Sequence, residues 1–146
     1  MIRNVEKKDR DIFIKLVNEF YLSPAVLHPV PKENYSATFE LITSGSPYAN
    51  GYLFEHNGDI AGYGLTATTY SNEAGGLVIW LEEAYIRPKF RGLGLGSEFI
   101  RFIENKYQGT ARRLRLEVEP DNEDAIRLYK RLGFAPLPYD QMIKSL

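Results

Sequence analysis

The stretch from residue 77 to residue 119 constrains the fold more than any other part of the chain. A strand starts at Leu77-Val78-Ile79-Trp80-Leu81 and runs to Ile86, where Pro88 closes it. The loop Arg91-Gly92-Leu93-Gly94-Leu95-Gly96-Ser97 then opens a helix that reaches about Tyr107, with Leu95, Phe99, Phe102 and Ile103 on one apolar face. Residues 112–119 alternate, placing Leu114, Leu116 and Val118 on one side and Arg113, Arg115, Glu117 and Glu119 on the other. A strand, a helix and a strand in that order need a crossover, which makes the two strands parallel neighbours in one sheet.

The flanking segments fill in the rest. Residues 2–5 read as a short strand, and Ile12, Phe13, Leu16, Val17 and Phe20 give helical spacing from Lys7 to Leu22. A weaker helix spans about Lys32 to Thr43. Gly51–His56 and Ile60–Thr69 are strands joined by the turn Asn57-Gly58-Asp59, and with Leu77–Ile86 they form an antiparallel meander. Pro120-Asp121-Asn122 starts a helix that Gly133 stops, and the tail from Phe134 to Leu146 is expected to add one or two strands. The expected class is α/β (α+β), a single domain over residues 1–146 with a mixed, mostly antiparallel sheet.

Composition removes several function classes. The chain has no cysteine, which excludes a thiol nucleophile, a zinc finger and a thiolate metal site. Its two histidines, His28 and His56, sit in separate turn-like contexts, so no metal centre is expected. A net charge of -1 argues against nucleic acid as a partner. The longest apolar run is Leu77–Leu81, far short of a membrane span, and Met1-Ile2-Arg3-Asn4-Val5-Glu6 is not a secretory signal, so a cytoplasmic location is expected.

The glycine-spaced loop is the strongest chemical signal. Glycines let a ligand approach the backbone, free N–H groups at a helix start attract anions, and Arg91 can add a charge-assisted contact to phosphate. A flexible turn that merely enters a helix is the plainer alternative. Nucleotide hydrolysis is disfavoured because Gly96-Ser97-Glu98 lacks the phosphate-reaching lysine. The dinucleotide fingerprint fails because Ser97 stands where its third glycine belongs, and because the loop follows a meander.

The run from Leu81 through Gly96 resembles the acetyl-CoA motif of the GNAT superfamily of N-acetyltransferases, with Arg91, Gly94 and Gly96 at the matching positions. Leu116-Glu117-Val118-Glu119-Pro120-Asp121-Asn122 and Ala125–Phe134 resemble that family's second signature, in the right order and spacing. Residues 21–50 carry no such signature. The resemblance implies helices on both faces of the sheet and parallel fourth and fifth strands that splay apart. It implies acetyl-CoA as co-substrate, its pantetheine arm pairing with backbone at Ala84, Tyr85 and Ile86. The pyrophosphate would rest on the N–H groups of Gly92, Leu93, Gly94, Leu95, Gly96 and Ser97. Asn122 matches a residue that touches the pantetheine, although an asparagine there also suits a helix cap.

The implied reaction is attack of an amine on a thioester. The amine must be neutral, although its pKa is about 10.4 if lysine-like, and the leaving sulfur gains from a proton. Tyr129 matches the family's acid; otherwise it packs with Ala125, Leu128 and Leu132 on one helix face. Glu82 ranks first as base, Glu117 second and Glu83 third, with a solvated strand face or an ion pair as the alternative for all three. A bulge in the fourth strand would shift which glutamate faces the site. Glu83, Tyr21 and Tyr35 are candidate contacts for a cationic acceptor. Arg112, Arg113 and Arg115 read as a solvated strand face. The leading expectation is direct acetyl transfer to a small primary amine. Transfer to a protein N-terminus or lysine and a non-catalytic acyl-CoA-binding module are the alternatives. A homodimer is one option for its assembly.

Overall fold

The computed structural model describes residues 1–146. Strands β1 (Ile2–Asn4), β2 (Ala49–His56), β3 (Asp59–Ser71), β4 (Gly76–Ile86) and β5 (Arg113–Leu116) form one sheet in the order β1-β2-β3-β4-β5. The first four are antiparallel neighbours, and β4 and β5 are parallel. Asn57 (φ 51°) and Gly58 (φ 84°) turn β2 into β3, the left-handed pair that a two-residue hairpin turn requires. The helices are α1 (Arg10–Tyr21), α2 (Glu33–Thr43), α3 (Leu95–Tyr107) and α4 (Glu123–Arg131). None is long and apolar enough to cross a membrane.

Two apolar layers sandwich the sheet. On one face Phe13, Leu16 and Val17 of α1 and Tyr35 and Phe39 of α2 pack on Leu53, Tyr63 and Tyr85. On the other, Leu95, Phe99 and Ile103 of α3 pack on Tyr52, Phe54 and Ile79. Strand alternation sorts them, since Leu53 points one way and its neighbours Tyr52 and Phe54 the other. Each such side chain contributes about 1.5–3 kcal/mol by leaving water. Gly64 is where Phe99 seats, because a Cβ there would stand 2.4 Å from the Phe99 ring. That contact fixes how closely the start of α3 approaches the sheet.

Three expectations are corrected. The tail from Phe134 to Leu146 forms no strand: Phe134 packs on Tyr129, the Tyr139 hydroxyl bonds Glu73, and Met142, Ile143 and Leu146 are exposed. Its apolar residues lack the alternation that would give a strand a buried face. The alternating run 112–119 pairs only over Arg113–Leu116, since the two strands part after Leu81 opposite Leu116. The helix expected from Lys7 starts at Arg10, after a 3-10 turn at Lys7–Asp9. There Asp9 accepts the Glu6 N–H at 2.8 Å and holds both terminal nitrogens of Arg3, at 2.7 and 2.9 Å.

Candidate active site

The site begins with an irregularity in β4. Leu65 of β3 pairs with Glu83, yet the next residue, Thr66, pairs with Leu81. Glu82 is the extra residue of a bulge. Side-chain parity reverses across it: Ile79 and Leu81 lie on the α3 face before it, whereas Ile86 lies on that face after it and Tyr85 on the other. The β4–β5 pairing also ends at this point, with Leu81 opposite Leu116. From Glu82 to Ile86 the β4 edge that faced β5 is therefore left open, as a splay requires.

The bulge separates the two neighbouring glutamates. Glu83 turns toward α1, where its Oε1 accepts from the Tyr21 hydroxyl at 2.5 Å and its Oε2 from the Tyr63 hydroxyl at 2.6 Å. Burial and the Glu83 charge both push the two phenols well above the usual tyrosine range, so they remain donors. Tyr35 stacks on Tyr21 with ring centroids 5.5 Å apart. Glu82 makes no hydrogen bond and keeps an exposed surface at the mouth of the splay. Protein packed around its carboxylate, then the charges of Glu117 and Glu83, raise its pKa above the ordinary glutamate value. A carboxylate so perturbed holds a proton more readily than a solvated one, which suits a base.

The loop after β4 is built for an anion. Gly92 (φ 78°) and Gly94 (φ 80°) adopt left-handed backbone, and a Cβ at either would meet nothing within 4 Å, so the space above them is open. The first N–H of α3 to find a backbone acceptor is that of Glu98, on the Gly94 carbonyl at 3.0 Å. The backbone N–H groups of Gly92 through Ser97 donate to no acceptor in the protein. Such donors face water or an anion, and the positive end of a helix favours the anion. Arg91 is exposed and its Nε holds the Ile86 carbonyl at 3.1 Å, bracing the loop against the end of β4. Ala84 is exposed on the open stretch, and the Tyr85 side chain is buried under α1.

α4 lies beside this loop, with Leu128 Cδ2 in van der Waals range of the Gly96 position. Asn122 caps it, Oδ1 accepting the Ala125 N–H at 3.2 Å, which leaves Nδ2 without a partner. Tyr129 is half-buried against Phe134, its hydroxyl makes no hydrogen bond, and burial alone raises its pKa. Glu117 is exposed just past the end of β5.

Sequence reasoning missed Tyr63, which its position among glycines in β3 did not distinguish from a packing residue. It also missed the Arg87–Glu19 pair, bonded at 3.0 and 2.9 Å, which ties the end of β4 to α1. The alternating arginines of β5 gave no sign that Arg115 lies over the Trp80 ring, 4.2 Å from its centroid.

Comparison with known proteins agrees with this geometry. A model of the acetyltransferase (GNAT) family matches residues 13–134. The thialysine N-epsilon-acetyltransferase of Bos taurus is 40% identical over 75 residues, which are 51% of this chain and 44% of that protein, so the chain spans less than half the length of that relative. A putative ribosomal protein bS18-alanine N-acetyltransferase of Bacillus subtilis is 30% identical over 141 residues, covering 92% of this chain and 80% of that one. Among solved structures, AAC(6')-Iy in complex with a bisubstrate analog, CoA-S-monomethyl-acetylneamine, superposes with a TM-score of 0.81 at 18% identity, covering 100% of this chain and 97% of that one.

Proposed function

Because the chain belongs to the acetyltransferase (GNAT) family, we propose that it moves an acetyl group from acetyl-CoA to a small cationic primary amine by direct attack in a ternary complex. The observation that carries this reading is the row of unpaired N–H groups on residues 92–97, set beside the open stretch of β4. Acetyl-CoA brings the acetyl group as a thioester, already activated toward an amine. The N–H groups of Gly92–Ser97 hold its pyrophosphate, and the backbone of Ala84, Tyr85 and Ile86 supplies hydrogen bonds to the pantetheine arm. Asn122 keeps Nδ2 free for the same arm while its Oδ1 caps α4.

Two side chains move protons. The Tyr129 hydroxyl has no competing acceptor and gives its proton to the thiolate sulfur. Glu82 takes a proton from the acceptor amine through water, its raised pKa bringing it nearer to neutrality than an ordinary glutamate. Glu83, locked by Tyr21 and Tyr63, serves as a fixed negative charge that holds the amine. With no cysteine in the chain, an acetyl-cysteine step is unavailable.

Calorimetric titration with acetyl-CoA tests the first half of the reading. A panel of amines, polyamines, aminoglycosides and N-terminal peptides, scored by CoA release, tests the second. No binding of acetyl-CoA to the folded protein would overturn it. The Bacillus subtilis relative, aligned over most of both chains, favours a second reading, acetylation of a protein N-terminus. Turnover of the peptides with inert free amines would establish that one instead.

A further inference from the structure

We propose that Arg115 and Trp80 form an anion subsite for the acceptor, so that the acceptor is an amine carrying a carboxylate roughly 7–9 Å from the nitrogen that Glu83 holds, one alternation along β4 combined with one strand spacing across to β5. The inference rests on the acetyl-transfer reading of the site, which leaves this pair unused. Tyr63, Leu65 and Ala67 alternate on the α1 face of β3, and opposite them stand Tyr85, Glu83 and Trp80. The bulge at Glu82 is what returns Glu83 to the face that Trp80 occupies. From Ala67 to Leu65 is one alternation of the strand, about 7 Å, so Trp80 and Glu83 stand that far apart on one surface.

The indole is held in place, its Nε1 donating to Thr69 Oγ1 at 3.2 Å. Arg115 pairs with Trp80 across the parallel ladder, and its guanidinium lies over the ring, 4.2 Å from the centroid. A stacked guanidinium uses its face on the ring and leaves its N–H edge for a planar anion. Arg115 forms no ion pair in the protein. Glu73, the acid whose carboxylate responds to it, is already bonded to Arg113 at 3.0 Å and to the Tyr139 hydroxyl at 2.9 Å. Half-buried, oriented and without a counter-charge, Arg115 is a carboxylate receptor.

The two ends of this strip of the sheet face therefore carry opposite charge. Glu83 and Glu82 meet an ammonium, and Arg115 meets a carboxylate. A diamine of the same length would set its second cation against Arg115, which selects against it. An ω-amino carboxylate or the side chain and carboxyl group of a basic amino acid satisfies both ends.

Trp80 is the only tryptophan, so its fluorescence reports this subsite without any turnover. The protein is titrated with ε-aminocaproate and, separately, with the amide of that acid. We expect a saturable change in Trp80 emission with the carboxylate, binding weaker by about tenfold or more for the amide, and loss of that preference in Arg115→Gln. Equal affinity for acid and amide, or no saturable response to either, would overturn the proposal. So would an Arg115→Gln protein of wild-type thermal midpoint that still prefers the acid, because an arginine that only shields the indole gives no preference to lose. Should that variant fail to fold, the acid and amide pair in the wild-type protein decides alone. The CoA-release assay separates the two readings. Acid preference without transfer to any amine removes the proposed function and keeps the subsite, whereas transfer with no acid preference does the reverse.

Discussion

The Tyr63 hydroxyl donates to Glu83 Oε2 at 2.6 Å from a ring that is fully buried between the sheet and α1. A phenol so placed cannot rotate away, and its raised pKa keeps the proton on it throughout any assay range. Tyr63→Phe preserves the packing and removes this bond, leaving Glu83 with Tyr21 alone. Urea unfolding should show a loss of about 1.5–3 kcal/mol, the worth of a hydrogen bond to a charged group. The KM for the amine should rise severalfold while acetyl-CoA affinity stays constant. Unchanged KM would mean that the bond serves the core and not the acceptor.

Glu82 gives a pH signature with a definite sign. Its folded pKa lies above the ordinary glutamate value of about 4.3, so the folded protein favours the protonated form. Its charged form therefore costs stability above the raised pKa, and that cost disappears as pH falls through it toward the ordinary value. Glu82→Gln should be more thermally stable than wild type at neutral pH, with the gap closing on acidification. The same variant should lose kcat/KM most on the acidic limb, where the amine most needs to shed its proton. A variant with the wild-type acidic limb would move the base to Glu117.

Tyr129→Phe removes a proton and little else, because the hydroxyl has no partner in the protein. We expect kcat to fall by roughly 10–10³-fold with acetyl-CoA affinity nearly unchanged. A thiol of pKa about 8.5 leaves unaided as thiolate at high pH, so the defect should shrink between about pH 6 and 9. Wild-type kcat across that range would return Tyr129 to its packing against Phe134.

The loop makes a prediction with its own control. Gly94 sits at φ 80°, a conformation that costs any L-residue about 1–2 kcal/mol, so Gly94→Ala should lower stability by that amount and weaken acetyl-CoA binding modestly. Gly94→Asp carries no more strain than the alanine, since aspartate tolerates left-handed backbone better, and adds a negative charge where the pyrophosphate must lie. Calorimetry should find binding abolished in the aspartate variant alone. Equal losses in the two would trace the effect to backbone strain.

How legible this was from sequence varied by feature. The crossover between β4 and β5, the hairpin at Asn57-Gly58 and the order of the helices were readable, because each depends on local periodicity or on a turn that few residues tolerate. The carboxylates at 82 and 83 were readable as candidates. Their division of labour was not, since it follows from a bulge that depends on pairing with β3. Nothing near Gly64 in the sequence tells that Phe99, thirty-five residues later, rests on it. The tail misled because apolar residues imply burial only when something covers them, and nothing covers Met142, Ile143 or Leu146. Arg115 misled in the opposite sense: strict alternation marks a solvated row, yet a neighbouring strand placed an indole beneath this member of it.

The extra residue at position 82 also separates what packs the fold from what builds the site. Removing Glu82 would bring Leu81 and Glu83 side by side opposite Thr66 and Leu65, and plain alternation would then keep Glu83 and Tyr85 under α1 and Ala84 and Ile86 under α3. Because both neighbours are glutamate, losing either one leaves the same shortened chain. Both core layers would survive that gap, and what would disappear is the local bend and the carboxylate it carries. The bulged residue is thus dispensable for folding, and its presence in the strand answers to the site alone.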